Sequence, residues 1–147
     1  MPSLSFLLGQ QHIIELISDT REGALRELVD VVAEQAGVMS DELFGEVWER
    51  ECLHSTGFGA GLALPHIRSA HLKQFYVALG RSQAGLPFEA IDGEPVQLVL
   101  LVAGPLGERD RYRKLMARAA KFLKQEAQAL RGCPRLLESV TTALTDY

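Results

Sequence analysis

Four histidines stand in the chain, His12, His54, His66 and His71, and only His66 has neighbours that suggest a site. It closes the short apolar run Leu62-Ala63-Leu64-Pro65, follows a proline that restricts the backbone, and has Arg68 two residues further on. An imidazole held at a strand end beside a cation is suited to nucleophilic attack. By spacing alone, a structural histidine fits the same residues equally well. His12, His54 and His71 have neither the i, i+4 histidine partner nor the cysteine neighbours of a metal site, and read as surface or core-edge residues. Upstream, Gly57, Gly59 and Gly61 offer a loop whose N–H groups can cradle a phosphate, or a permissive hairpin-like bend. The loop leads from a helix into a strand, the reverse of the dinucleotide fingerprint, and no Gly-Lys-Ser/Thr is present. No metal site is expected, because Cys52 and Cys133 fit no paired metal motif.

The elements that position these residues are set by hydrophobic period. Asp19 with Glu22 reads as a capping pair opening a helix, in which Leu25, Leu28, Val29, Val32 and Ala36 recur at helical spacing until Gly37. Ser40 is expected to cap a second helix, with Asp41 and Glu42 in its first turn and Leu43, Phe44, Val47 and Trp48 on its buried face. Residues 1 to 18 are too short a stretch to classify. Phe75–Leu79 and Val96–Val102 read as buried strands, and the turn signals Gly85-Leu86-Pro87 and Asp92-Gly93-Glu94-Pro95 bracket an extended piece at Phe88–Ile91. Tyr112, Leu115, Met116, Ala119, Phe122, Leu123 and Leu130 form the apolar stripe of a long helix. Gly132 and Pro134 end it, and a last short helix carries Leu136, Leu137, Val140 and Leu144. Helices, then strands, then helices suggest one domain in which a sheet is covered on both faces.

Composition narrows the classes. With 147 residues, 47% apolar and 23% charged, the chain is an ordinary globular domain and not a disordered or fibrous one. Its longest apolar run, Leu98–Ala103, is far short of the roughly 20 residues of a membrane helix, and no Lys or Arg precedes Arg21 as a signal peptide would need. A cytoplasmic protein without membrane insertion is the expectation. The net charge of −4 is unevenly spread: residues 108–135 hold nine Lys or Arg against three acids, a segment of +6 in a chain otherwise at −10. Such a stripe is a solvated helix face or an anion-binding surface. A nucleic-acid role is not expected of so acidic a chain.

Taken together, Arg50-Glu51-Cys52-Leu53-His54-Ser55-Thr56-Gly57-Phe58-Gly59-Ala60-Gly61-Leu62-Ala63-Leu64-Pro65-His66-Ile67-Arg68 resembles the active-site segment of enzyme IIA domains of the bacterial phosphotransferase system. The resemblance is to the fructose/mannitol and nitrogen-regulatory class, and extends more loosely over residues 13–144. It implies an α/β fold, a three-layer α/β/α sandwich around a small mixed sheet, in a single domain. It also implies that His66 accepts a phosphoryl group from an HPr-type phosphohistidine, then passes it to an enzyme IIB partner or uses it as a regulatory signal. The nitrogen-regulatory type is favoured, as a monomer or weak dimer, and no cofactor is required.

Carried over by position, His66 matches the phosphoacceptor and Arg50 the active-site arginine, whose planar fork suits phosphate. Ser55 and Thr56 match the polar pair near the site and are expected to bind phosphate through hydroxyl or backbone hydrogen bonds, with Arg68 as a further phosphate ligand, and Glu51 matches a structural position. Two positions depart from the family pattern. Arg111 stands where a second histidine usually opens the long helix, in the stretch Arg111-Tyr112-Arg113-Lys114-Leu115, and Ile67 replaces a small residue. Arg111 is therefore the expected third site residue. These departures leave a second reading beside the phosphoryl carrier, a non-catalytic regulatory module binding another protein on the same fold.

Overall fold

The computed structural model describes residues 3–147. Along the chain run helix α1 (Leu4–Leu7), strand β1 (Ile13–Glu15), helices α2 (Arg21–Ala36) and α3 (Ser40–Leu53), and strands β2 (Gly57–Gly59), β3 (Leu62–Ala63) and β4 (His66–Arg68). The long strands β5 (Tyr76–Leu86) and β6 (Val96–Gly104) follow, then helices α4 (Arg109–Gly132) and α5 (Leu136–Ala143). The first eighteen residues, which periodicity leaves unclassified, thus hold α1, a single 3-10 turn at Gln10–His12, and β1.

The strands form one mixed sheet in the order β1-β5-β6-β3-β2, with β4 also on β6. β5 and β6 pair antiparallel, β1 joins β5 parallel, and β3 and β4 both lie parallel to β6. Because side chains alternate across a strand, β6 feeds two cores at once. Leu98, Leu100 and Val102 pack with Leu115, Ala119, Phe122 and Leu123 of α4. Val99, Leu101 and Ala103 pack with Leu25, Leu28, Val29 and Val32 of α2 and with Leu43 and Val47 of α3. Burial on both faces explains the near-continuous apolar run of this strand. The result is the three-layer α/β/α sandwich, with α2 and α3 over one face and α1, α4 and α5 over the other. The layers also separate charge: residues 21–53 hold nine acids against three arginines, opposite the basic α4.

Several local expectations are corrected. Thr20, not Asp19, caps α2, its hydroxyl accepting from the Gly23 N–H at 3.1 Å. The residue before α3 is Met39, without a side-chain cap, while the Ser40 hydroxyl donates to Asp30 and ties α3 to α2. Phe88–Ile91 is not a ladder strand: Phe88 and Ala90 are buried, but Glu89 between them has φ +53° and breaks the extended run. β5 continues past Leu79 to Leu86, with its pairing on β6 irregular between Arg81 and Leu86.

The run Leu62 to His66 divides into two strands. Ala63 pairs with Val99 and His66 with Val102, so β3 and β4 are one line along β6, interrupted at Leu64-Pro65 where proline has no N–H to give. His66 therefore opens a strand. The glycine loop makes the tight antiparallel hairpin between β2 and β3, with Gly59 at φ +99°, Ala60 at +58° and Gly61 at +78°.

Candidate functional site

The register of β4 on β6 dictates where its side chains go. His66 and Arg68 lie beside Val102 and Gly104 and share the α4 side of the sheet, whereas Ile67, beside Ala103, packs into the core under α2 and α3. The bulk of Ile67 is thus directed away from His66. The site forms at the carboxyl end of β6, where the chain leaves the sheet for α4.

The hydrogen bonds of His66 fix its tautomer. Nδ1 lies 2.8 Å from the Leu64 carbonyl oxygen, which can only accept, so Nδ1 carries the proton. Nε2 lies 3.3 Å from Nη2 of Arg50, which can only donate, so Nε2 presents its lone pair. Burial holds the His66 pKa below its ordinary 6.5, and the Arg50 cation adds to the lowering, against the Leu64 hydrogen bond and the Glu51 charge, which act upward. The ring is neutral at pH 7, with its nucleophilic nitrogen facing an arginine fork. The other arm of that fork, Nη1, donates to the His54 carbonyl oxygen at 3.3 Å and braces the guanidinium across the end of α3.

Behind Arg50, Glu51 is only 1% exposed and accepts from both the N–H (2.7 Å) and the hydroxyl (2.6 Å) of Thr56. Arg21 of α2 stands 3.8 Å from the same carboxylate. The Ser55 hydroxyl donates to the Phe88 carbonyl oxygen at 2.6 Å and accepts from the Gly57 N–H at 3.1 Å. The hydroxyls of Ser55 and Thr56 are thus engaged by the protein, and their visible work is to pin the segment between α3 and the hairpin.

The third expected site residue is displaced. Arg111 is more than half exposed and pairs at 3.2 Å with Glu108, at the start of its own helix. Its neighbour Tyr112 turns inward instead, with its ring 6.4 Å from the His66 ring and tilted by 53°. The Arg68 guanidinium lies over that tyrosine at 5.6 Å from its centroid, and Arg68 also donates to the Leu106 carbonyl oxygen at 3.1 Å. Burial pushes the Tyr112 phenol up to about 12, although Arg68 and Arg50 both act to lower it. The sequence carries Tyr112 as part of the apolar stripe, where it reads as core; the only further signal was its adjacency to the position expected of a second histidine.

Chemically the arrangement offers a neutral imidazole nucleophile, two fixed cations and a protonated phenol at one sheet end. That suits an in-line phosphoryl transfer, in which the protein mainly positions the nucleophile and neutralises equatorial oxygens. Among the described residues no group of three or more His, Cys, Asp or Glu is placed to hold a metal ion, and no helix is long and apolar enough to cross a membrane.

Comparison with known proteins agrees with this fold. The chain is 32% identical over 120 residues to the fructose-specific EIIABC component of Bacillus subtilis, which covers 79% of this chain but only 19% of that protein. It is 30% identical over 126 residues to a nitrogen regulatory protein of Bradyrhizobium diazoefficiens, covering 86% of this chain and 82% of the relative. Its fold matches the crystal structure of the nitrogen regulatory protein IIA-Ntr from Neisseria meningitidis with a TM-score of 0.88, at 24% identity, over 96% of this chain and 98% of the other. The family described as phosphoenolpyruvate-dependent sugar phosphotransferase system, EIIA 2, matches residues 6–133, and the chain belongs to that family.

Proposed function

We propose that this chain carries a phosphoryl group on Nε2 of His66, taken from the phosphohistidine of an HPr-type carrier. The group is then handed to an enzyme IIB partner or read as a regulatory state by a target protein. The observation that carries this reading is the pair of opposed hydrogen bonds on His66: the Leu64 carbonyl accepts from Nδ1–H, and Arg50 faces the Nε2 lone pair. In the step itself Nε2 attacks phosphorus, the donor's N–P bond breaks, and the donor nitrogen keeps the electron pair. No proton has to leave His66, since Nδ1–H stays on the Leu64 carbonyl. Arg50 keeps its proton and turns its hydrogen bond from the ring nitrogen to a phosphoryl oxygen, and Arg68 supplies a second positive charge nearby. Ser55, Thr56 and Glu51 hold the Arg50 end of the site in place. Within the family the nitrogen-regulatory branch is favoured, supported by a relative of that name matched over most of its length.

Ile67 faces the core, so its bulk does not favour a non-reacting binding module; the absence of a second histidine at Arg111 does, and that module is the other outcome of the test. The test is intact-mass spectrometry after incubation with phosphoenolpyruvate, enzyme I and an HPr-type carrier from either branch. The expected result is an acid-labile gain of one phosphoryl group that His66→Ala abolishes. Equal labelling of the His66→Ala chain would overturn the assignment.

A further inference from the structure

We propose that Tyr112 is a catalytic residue of this site: its hydroxyl donates a hydrogen bond to an equatorial oxygen of the phosphoryl group on His66, and Arg68 is the positioning residue that holds the ring there. The inference rests on the phosphoryl-carrier reading and gives the place expected of Arg111 to its neighbour. Three observations, on β4 and α4, support it. The ring sits 6.4 Å from the His66 ring and is tilted by 53° to it, on the α4 side of the sheet to which the register of β4 also directs His66. Arg68 of β4 lies over the same ring and is itself tied to the Leu106 carbonyl, so the strand that carries His66 also holds the phenol. Arg111, by contrast, is turned to solvent and engaged by Glu108.

The chemistry follows from what a phenol can and cannot do here. With its pKa pushed up to about 12 by burial, Tyr112 remains protonated and a donor throughout the neutral range. It gives a hydrogen bond and keeps its proton, so the step still balances as one N–P bond formed and one broken. A donor aimed at charge developing on phosphoryl oxygens lowers the barrier without any proton exchange with solvent. Arg68 acts on the reaction partly through Tyr112, because its planar guanidinium is matched to the ring face in a way a lysine ammonium is not.

The experiment measures phosphorylation rates of wild type, Tyr112→Phe, Arg111→Ala, Arg68→Lys and the Tyr112→Phe/Arg68→Lys double variant with two donors. One donor is the phosphorylated HPr-type carrier; the other is phosphoramidate, whose N–P bond breaks to release ammonia and which needs no protein docking. Thermal melts of each variant report folding. The expected result is a roughly 10- to 100-fold slower rate for Tyr112→Phe with both donors, with Arg111→Ala close to wild type. Arg68→Lys is expected to cost less in the Tyr112→Phe background than in wild type, which a charge effect independent of the ring would not produce. Wild-type rates in Tyr112→Phe, or equal Arg68→Lys losses in both backgrounds, would overturn the proposal. Labelling of His66 by phosphoramidate but by no carrier would remove the carrier function while the Tyr112→Phe ratio still decided this inference. Absence of labelling by either donor would overturn both.

Discussion

Replacing Arg50 separates the geometry of the site from its charge. In Arg50→Gln, two things are lost: the N–H that faces Nε2 of His66 at 3.3 Å, and the cation that helps hold the His66 pKa down. A hydrogen bond to a charged group contributes about 1.5–3 kcal/mol, so loss of the donor to the phosphoryl oxygens slows transfer roughly 10- to 150-fold. Loss of the cation has a separate signature. The His66 pKa rises, more of the ring is protonated at a given acid pH, and the acid limb of the rate profile moves to higher pH. Arg50→Lys divides the two effects, because lysine keeps the charge but not the fork that reaches both Nε2 and the His54 carbonyl. It should be slow, with its acid limb near that of wild type. The assay is quench-flow phosphorylation from a fixed small donor between pH 5 and 8, read as the ratio of variant to wild type so that the donor's own titration cancels. An Arg50→Gln protein within twofold of wild type, with an unmoved acid limb, would refute the reasoning: the contact would then be incidental to transfer.

Three further outcomes are expected. Arg81, 1% exposed, binds Glu15 and donates to the carbonyls of Leu130 (2.8 Å) and Cys133 (2.6 Å), so Arg81→Met should cost about 3 kcal/mol and roughly 6–12 °C in melting temperature by calorimetry. Thr20→Ala should lower the denaturant midpoint by the equivalent of about 1 kcal/mol while Asp19→Ala leaves it near wild type, since only Thr20 caps α2. Because the folded His66 pKa lies below its ordinary 6.5, the unfolded chain binds more protons in acid. The corresponding stability is present above pH 6.5 and is lost as pH falls through the folded value; the difference between wild type and His66→Gln in unfolding free energy, measured from pH 7.5 to 5, should follow that course.

Much of this fold is legible in the sequence where a long element has a strong period. The stripes of α2 and α4 and the apolar run of β6 each repeat often enough to define both element and buried face. What escaped is short or depends on a neighbour. β4 has three residues of mixed polarity, and is a strand because Val102, Ala103 and Gly104 of β6 pair with it. Asp19 and Thr20 both carry an oxygen suited to capping, and only the backbone path decides between them. In the site, His66 and Arg50 follow from the long motif, but Arg111 and Tyr112 differ by one step of about 100° around a helix, enough to exchange a solvent-facing residue for an inward one. The apolar stripe already turns Tyr112 inward; Arg111 came from the family pattern position by position, and what the stripe alone could not show is that this face meets His66 and Arg68 of β4.

The same phase difference changes what kind of site this is. A second histidine at the helix start would add a group whose charge varies near neutrality, and Arg111 would have added a cation that never does. Tyr112 adds neither, only a dipole whose proton stays in place up to about pH 12. Meanwhile the tautomer of His66 is set by a backbone carbonyl, at the point where Pro65 interrupts the line of β3 and β4 and the chain turns enough for Leu64 to meet the ring. A carbonyl has no protonation state of its own to lose, so the nucleophilic nitrogen is selected by the fold. His66 is held down by burial while Tyr112 is pushed up to about 12, so of these two rings it is His66 that changes state on the acid side. Once the donor's own titration is divided out, the acid limb of the rate profile is that of His66, with its nucleophilic nitrogen chosen by the backbone break at Pro65.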